Sequence, residues 1–244
     1  MQWQRRLFNR YVCAREARIR SVILYMMTII INNMMCIIYE VKPTDFGHAM
    51  KVTREQAKLN RERVVETAAR LFRERGFEGV GVADLMKSAG LTHGGFYGQF
   101  DSKEQLMVEA CEQALEKSEH RWRELLERAP KRPLSAIASS YLSTRHRDTP
   151  GAGCVVAALG IEAARQGPTV RAALTEAAKR FIELLGQAVP GRSAKTRRRQ
   201  ALASFAGMVG AVVLARTVSH ASLSEEILDA VHAQLAELDE SQPT

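Results

Sequence analysis

From residue 50 onward, apolar side chains recur at intervals of three and four, and no run alternates with period two for long enough to predict a strand. Thr53-Arg-Glu-Gln56 has capping-box spacing and opens a helix that places Val64, Val65, Ala68, Leu71 and Phe72 on one face. Gly76 ends it. A short second helix is predicted over residues 82–89, closing at Gly90, with Val82, Leu85 and Met86 inward. Thr92 stands where it can cap a third short helix over 93–99. Asp101-Ser-Lys-Glu104 can cap a fourth that runs to about Arg128, with Leu106, Ala110, Ala114 and Leu115 inward and Pro130 beyond its end.

The remainder reads as helices over 133–145 and 154–166, separated by a turn at 148–153. A helix over 169–189 follows, opened by Pro168 and closed by Pro190-Gly191. A long helix is predicted after the basic stretch 195–199, reaching about Ser219, and a last one over 224–238. The polar tail 239–244 is expected to fray. The pattern predicts an all-α body, with no internal repeat and no glycine-rich phosphate loop behind a strand.

Composition changes sharply near Met50. Residues 1–49 hold 7 of the 11 Ile and 5 of the 9 Met, and the seven basic and three acidic side chains there supply half of the chain's net charge of +8. The apolar run 22–39, preceded by Arg5, Arg6, Arg10, Arg15, Arg18 and Arg20, fits a short membrane anchor with a basic flank. No small-residue cleavage site follows Tyr39, which argues against a secretory signal. The shift from residues with AT-rich codons to an Ala- and Arg-rich body also fits a start assigned upstream of the true one, with Met50 opening a polar stretch natural to a domain. That last reading is carried forward, and the segment 1–49 is set apart from the fold. Four cysteines without C-x-x-C spacing argue against a structural zinc site and a disulfide framework.

Residues 82–100 have the logic of a DNA-reading helix-turn-helix. A short amphipathic helix meets a tight Ala89-Gly90-Leu91 turn, and a very short, small-residue helix follows that can enter a major groove. Phe96 and Phe100 can anchor that second helix. Gly94 and Gly95 weaken it by about 1 kcal/mol each relative to Ala, a cost understandable where backbone must approach DNA closely. An ordinary loop between core helices is the competing reading.

The run from Arg61 to Leu106 resembles the DNA-binding domain of the TetR family of bacterial transcriptional regulators. The resemblance is carried by Ala-Arg-Leu-Phe72 with Gly76-Phe77, Asp84-Leu85 with Ala89-Gly90-Leu91-Thr92, Gly94-Gly95-Phe96-Tyr97 with Phe100, and Ser102-Lys103-Glu104-Gln105-Leu106. The family usually has Thr or Ser just before its second helix where this chain has Val80-Gly81, and glycine is an acceptable cap there. The segment from His146 to Leu159 is similar to a turn in one subgroup. His146-Arg147-Asp148 also matches a protein-kinase triplet, but the Asn and the nucleotide loop that should accompany it are missing.

The resemblance implies a three-helix DNA-binding domain over 50–106 and an effector-binding and dimerisation domain over 107–238. It puts base reading on His93, Gly94, Gly95 and Tyr97, with Gln99 at the far end, and Thr92 either caps the helix alone or also touches phosphate. Lys103 at a helix N-terminus can pair with a phosphate, and Arg54, Lys58 and Arg61, which precede or begin the first helix, can reach adjacent phosphates, with a solvated basic face as the alternative. Residues 201–218, apolar nearly all round, are expected to be buried in a four-helix intersubunit bundle with the last helix. Cys154, behind a glycine turn at a helix N-terminus and close to Arg145 and Arg147, is a candidate redox or electrophile sensor with a stabilised thiolate; a small buried side chain is the alternative. The implied protein is a cytoplasmic, homodimeric repressor of a double-stranded DNA operator, released by a small-molecule effector, with no cofactor, metal or catalytic residue. A helical enzyme or binding protein with an incidental helix-turn-helix, or a membrane-tethered regulator, are the rivals.

Overall fold

The computed structural model describes residues 53–240, so the extension 1–49, with its apolar run, lies outside the described residues. From residue 54 the chain packs as one compact unit. Its helices are α1 (Arg54–Arg75), α2 (Val82–Ser88), α3 (Lys103–Arg128), α4 (Pro133–Tyr141), α5 (Thr144–Asp148), α6 (Val155–Ala163), α7 (Pro168–Ala188), α8 (Ala194–Thr217) and α9 (Ala221–Glu240). Two single 3-10 turns, His93–Gly95 and Pro150–Ala152, complete the secondary structure among the described residues.

The amphipathic faces do what the pattern predicts. Val64, Val65, Ala68, Leu71 and Phe72 are buried on α1, and Leu106, Ala110, Ala114 and Leu115 on α3. Gly76 ends α1 with φ 77°, and an added Cβ there would collide with the Glu162 carboxylate. Gly81 caps α2, and Ser102 caps α3 by accepting from the Gln105 amide at 3.0 Å. The expected boundary at 106/107 falls inside α3, which runs as one helix from the helix-turn-helix into the C-terminal bundle. There Trp122 packs 4.7 Å from Phe181, whose ring lies 5.5 Å from Phe205, so α3, α7 and α8 share one aromatic centre.

Five expectations need correction. The helix predicted over 133–145 breaks at Leu142-Ser143, because Ser143 takes the His146 amide and starts α5 afresh. The segment 154–166 is helical only from Val155 to Ala163, with Cys154 as its N-cap. Residues 195–199 lie within α8, which begins at Ala194 because Ser193 caps it. The third helix over 93–99 is a 3-10 turn followed by an irregular turn, as three glycines in seven residues would favour. The tail does not fray at Asp239: this residue is buried, and its Oδ2 accepts from the Ser135 amide at 2.6 Å, placing negative charge at the N-terminus of α4.

Candidate functional site

The turn between α2 and the His93–Gly95 segment is built from backbone chemistry. Gly90 takes φ 73°, and the Leu91 amide returns to the Met86 carbonyl at 2.9 Å, closing the helix end. Phe96 and Phe100 are buried with stacked rings 5.4 Å apart, and they pin the segment from beneath. On its outer side Thr92, His93, Gly94 and Tyr97 are exposed. Tyr97 is 69% exposed, yet it is not loose: its ring meets the edges of Phe96 at 5.3 Å and His93 at 5.9 Å. Gln99 is half-buried at the far end.

The glycines are informative because the fold does not need them. A Cβ on Gly94 would meet nothing within 4 Å, and on Gly95 only Met86 Cε at 3.6 Å and Thr92 Oγ1 at 3.8 Å, which is ordinary contact. Neither has the positive φ that would favour glycine. Thr92 occupies the N-cap position, but its hydroxyl makes no capping hydrogen bond; the expected side-chain cap is absent.

Two of the expected phosphate contacts turn inward. The Lys103 ammonium donates to the Phe77 carbonyl at 2.7 Å, supplying charge where the chain leaves α1. Arg61 pairs with Glu109 at 2.6 Å and lies 4.7 Å over the Phe100 ring, so it braces the turn from behind. Lys58 is exposed and 3.9 Å from Glu62, a pairing of little weight, and Arg54 is exposed at the start of α1.

A cavity of about 400 Å³ opens in the C-terminal bundle between α3, α4, α5 and α7, with Trp122, Tyr141, Phe181, His146 and Cys154 in its walls. His146 organises one side. Its Nδ1 donates to the Tyr141 carbonyl at 2.6 Å and its Nε2 accepts from the Cys154 amide at 2.9 Å, which fixes a neutral ring. Burial pushes its pKa down to about 4, and the Arg216, Arg121 and Arg73 guanidinium groups press in the same direction. Gly153 is required here, since a Cβ would collide with that ring. Arg216 of α8 donates to the carbonyls of His146 and Arg147, while Arg147 reaches Ser224 of α9 at 3.0 Å.

Cys154 does not have the electrostatics expected of it. The thiol is buried, and that burial pushes its pKa up, outweighing the help of the Tyr141 hydroxyl, the amides of α6 and Arg73. Arg145 is exposed and Arg147 is occupied by Asp148 and Ser224, so neither supplies the expected field. The stabilised thiolate is replaced by a buried thiol in a cavity wall.

Sequence reading missed the contacts that join the helix-turn-helix to the bundle. Glu162 of α6 accepts from the Phe77 amide at 2.7 Å, and Arg73 of α1 donates to the Gly151 carbonyl. Partners 85 and 78 residues apart leave no local signal.

On α8 and α9 an apolar face is uncovered: Leu202, Ala203, Ala206 and Leu214 of α8 and Leu223 and Ala230 of α9 are exposed. α8 is long and apolar enough to cross a membrane by length and composition, and its opposite face, with Phe205, Met208 and Val212, is packed into the bundle.

Residues 64–110 match the family described as bacterial regulatory proteins, tetR family. The transcriptional repressor NemR of Escherichia coli strain K12 is 30% identical over 132 residues, which span 53% of this chain and 66% of that relative's length. The crystal structure of reduced E. coli NemR superposes with a TM-score of 0.62 at 27% identity, covering 73% of this chain and 96% of NemR. A TetR transcriptional regulator from Chloroflexus aurantiacus gives a TM-score of 0.63 at 26% identity, covering 77% of this chain and 98% of that structure. The match thus extends past the helix-turn-helix through the C-terminal helices, and the relative it reaches is a regulator rather than an enzyme. The chain belongs to the TetR family of bacterial regulatory proteins.

Proposed function

We propose that this protein is a homodimeric, cytoplasmic repressor that reads a pseudo-palindromic operator in double-stranded DNA and releases it when a small molecule fills the cavity of the C-terminal bundle. The observation that carries the reading is the surface at 92–97. Glycines that the fold does not require sit beside a Tyr97 that is exposed but held by two aromatic edges. An outward face that is small, rigid and free of carboxylates suits close approach to a polyanion. Thr92, His93, Gly94, Gly95 and Tyr97 are the readers in this account, with Gln99 at the margin. Arg54 and Lys58 supply phosphate contacts, and Lys103 and Arg61 hold the segment in position.

The uncovered apolar face of α8 and α9 supports a dimer, because small residues there let helices of a second copy approach closely. Two readers related by a two-fold axis would then stand about 34–36 Å apart, one turn of DNA. A molecule entering the cavity is favoured over modification of Cys154 as the effector event, because the Cys154 thiol is buried and held protonated.

Selection of bound sequences from random duplex DNA tests the reading. The expected result is an enriched inverted repeat with half-sites about one turn apart, bound with an affinity that falls steeply with salt. Failure to enrich any sequence, with DNA retention indifferent to salt, would contradict it.

A further inference from the structure

The cavity's lining has a composition that narrows its ligand. Three aromatic side chains, Trp122, Tyr141 and Phe181, face it from α3, α4 and α7. The two charged side chains in its lining are Arg121 and Arg145, and no carboxylate accompanies them. Both are exposed, and neither has an ion pair among the described residues; Arg121 makes only a 3.5 Å contact with the Ala152 carbonyl. The nearby acids are occupied elsewhere: Glu119 holds Arg123 and Arg180, and Asp148 holds Arg147. His146 adds no negative charge, since its ring is neutral and both its nitrogens are engaged.

A further polar group waits in the wall. The Tyr141 hydroxyl is buried without a nitrogen or oxygen partner; only the Cys154 thiol, a weak acceptor, stands beside it, so a stronger acceptor would satisfy it better. Burial first, and then the Arg216, Arg121 and Arg73 guanidinium groups, hold the pKa of His146 down, so the imidazole stays neutral beside them. Apolar rings, two guanidinium groups without ion pairs and a hydroxyl without a nitrogen or oxygen partner therefore line a space of about 400 Å³. A flat apolar body with a planar anionic head satisfies all of them. The body stacks against Trp122 and Phe181, while the head takes a forked hydrogen bond from a guanidinium and a single one from Tyr141.

We propose that the cavity binds a small aromatic carboxylate, of one or two fused rings, through Arg121, Arg145 and the Tyr141 hydroxyl. This rests on the reading of the cavity as the effector site and adds the chemical class of the effector. The class also gives a route to the DNA-binding half. Arg121, drawn to a carboxylate, leaves the Ala152 carbonyl, next to the Gly151 carbonyl that Arg73 of α1 grips.

Trp122 supplies the readout, since the chain has two tryptophans and the other is Trp3. The full chain is titrated with benzoate, 1-naphthoate and indole-3-carboxylate and with the three matching amides, following tryptophan emission, and each compound is then added to the preformed DNA complex. At least one carboxylate is expected to bind about tenfold more tightly than its amide, the margin of one charge-assisted hydrogen bond. Arg121→Gln and Arg145→Gln should each shrink that preference and the double variant abolish it, whereas Arg123→Gln, on the same helix outside the cavity, should keep it. Amides binding as tightly as carboxylates, a preference that survives the double variant, or no emission change with any compound would each overturn the proposal. The DNA arm separates the two levels: a selectively bound carboxylate that leaves the DNA complex intact keeps the binding site and removes its effector role, while amides that bind and release DNA keep the effector role and remove the anion.

Discussion

Arg73, in the last turn of α1, donates its Nε–H to the carbonyl of Gly151 at 3.0 Å, and its Nη2 donates to the same oxygen. Gly151 sits in the Pro150–Ala152 turn, three residues before Cys154, so a side chain of the helix-turn-helix half grips the backbone beside the cavity. A Cβ on Gly151 would run into the Glu74 side chain, so this turn lies close against α1. Together with Glu162 on the Phe77 amide, this contact ties the position of α1 to the shape of the cavity wall. In the proposed switch, a ligand that favoured a different arrangement of this turn would therefore be felt at α1.

Arg73→Gln is expected to lower stability by about 1–3 kcal/mol, because a half-buried carbonyl loses a charged donor. Urea denaturation measures this. The same variant should still bind DNA while responding less to effector, since the grip that transmits the change is gone; an unaltered response would show that coupling runs elsewhere.

Gly94→Ala separates folding from reading. An added methyl meets open space in ordinary backbone, so stability should hold or rise by about 0.4–1 kcal/mol. DNA affinity should fall, because the methyl stands on the face proposed to approach the groove. Thermal midpoints and anisotropy titrations on the same preparation would show the two effects moving apart.

His146 predicts a pH dependence of stability. Burial, and then the neighbouring guanidinium groups, lower its pKa to about 4 in the folded chain from the ordinary 6.5. The unfolded chain therefore takes up a proton first as the pH falls, and stability is lost between those values. Between pH 7 and pH 5 the loss from this residue is about 2 kcal/mol. His146→Gln should be less stable at pH 7, where its bonds to Tyr141 and Cys154 are weakened, but its stability should change less over the interval. Equal slopes for the two proteins would contradict the assignment.

Cys154 should react slowly in the folded protein. With its thiol buried and its pKa raised, iodoacetamide at pH 7 should modify it at least about tenfold more slowly than in urea, as mass spectrometry of the Cys154 peptide would show. Rapid modification of the folded chain, with release of DNA that Cys154→Ser does not show, would restore the electrophile-sensor role.

Much of this architecture is legible in the sequence because its signals are local. The apolar face of α1, the stop at Gly76, the Ser102 cap and the Phe96–Phe100 anchor each follow from residues within one or two turns of one another. The residues proposed as readers likewise come from a local motif, and Thr92, His93, Gly94 and Tyr97 lie exposed on one side of it. What escaped notice depends on distance along the chain. Lys103 has the spacing of a phosphate contact, yet Phe77 lies 26 residues upstream with a carbonyl to satisfy, and the ammonium goes there. Asp239 looks like part of a frayed tail until Ser135, 104 residues away, presents its amide. Cys154 has the sequence neighbours of a reactive thiol, but its ionisation is set by how tightly the bundle encloses it. The segment 93–99 shows a local conflict: capping chemistry argues for a helix, three glycines argue against it, and the glycines prevail.

The central claim is that the face carrying Tyr97 reads DNA, and the affinity of Tyr97→Ala for the selected operator tests it most directly. The side chain is 69% exposed, so its removal should leave the fold and the proposed dimer unchanged by circular dichroism and sedimentation. The account predicts a loss of at least about tenfold in operator affinity, in line with removal of one specific contact from each half-site. Wild-type affinity in a correctly folded, dimeric Tyr97→Ala would contradict it.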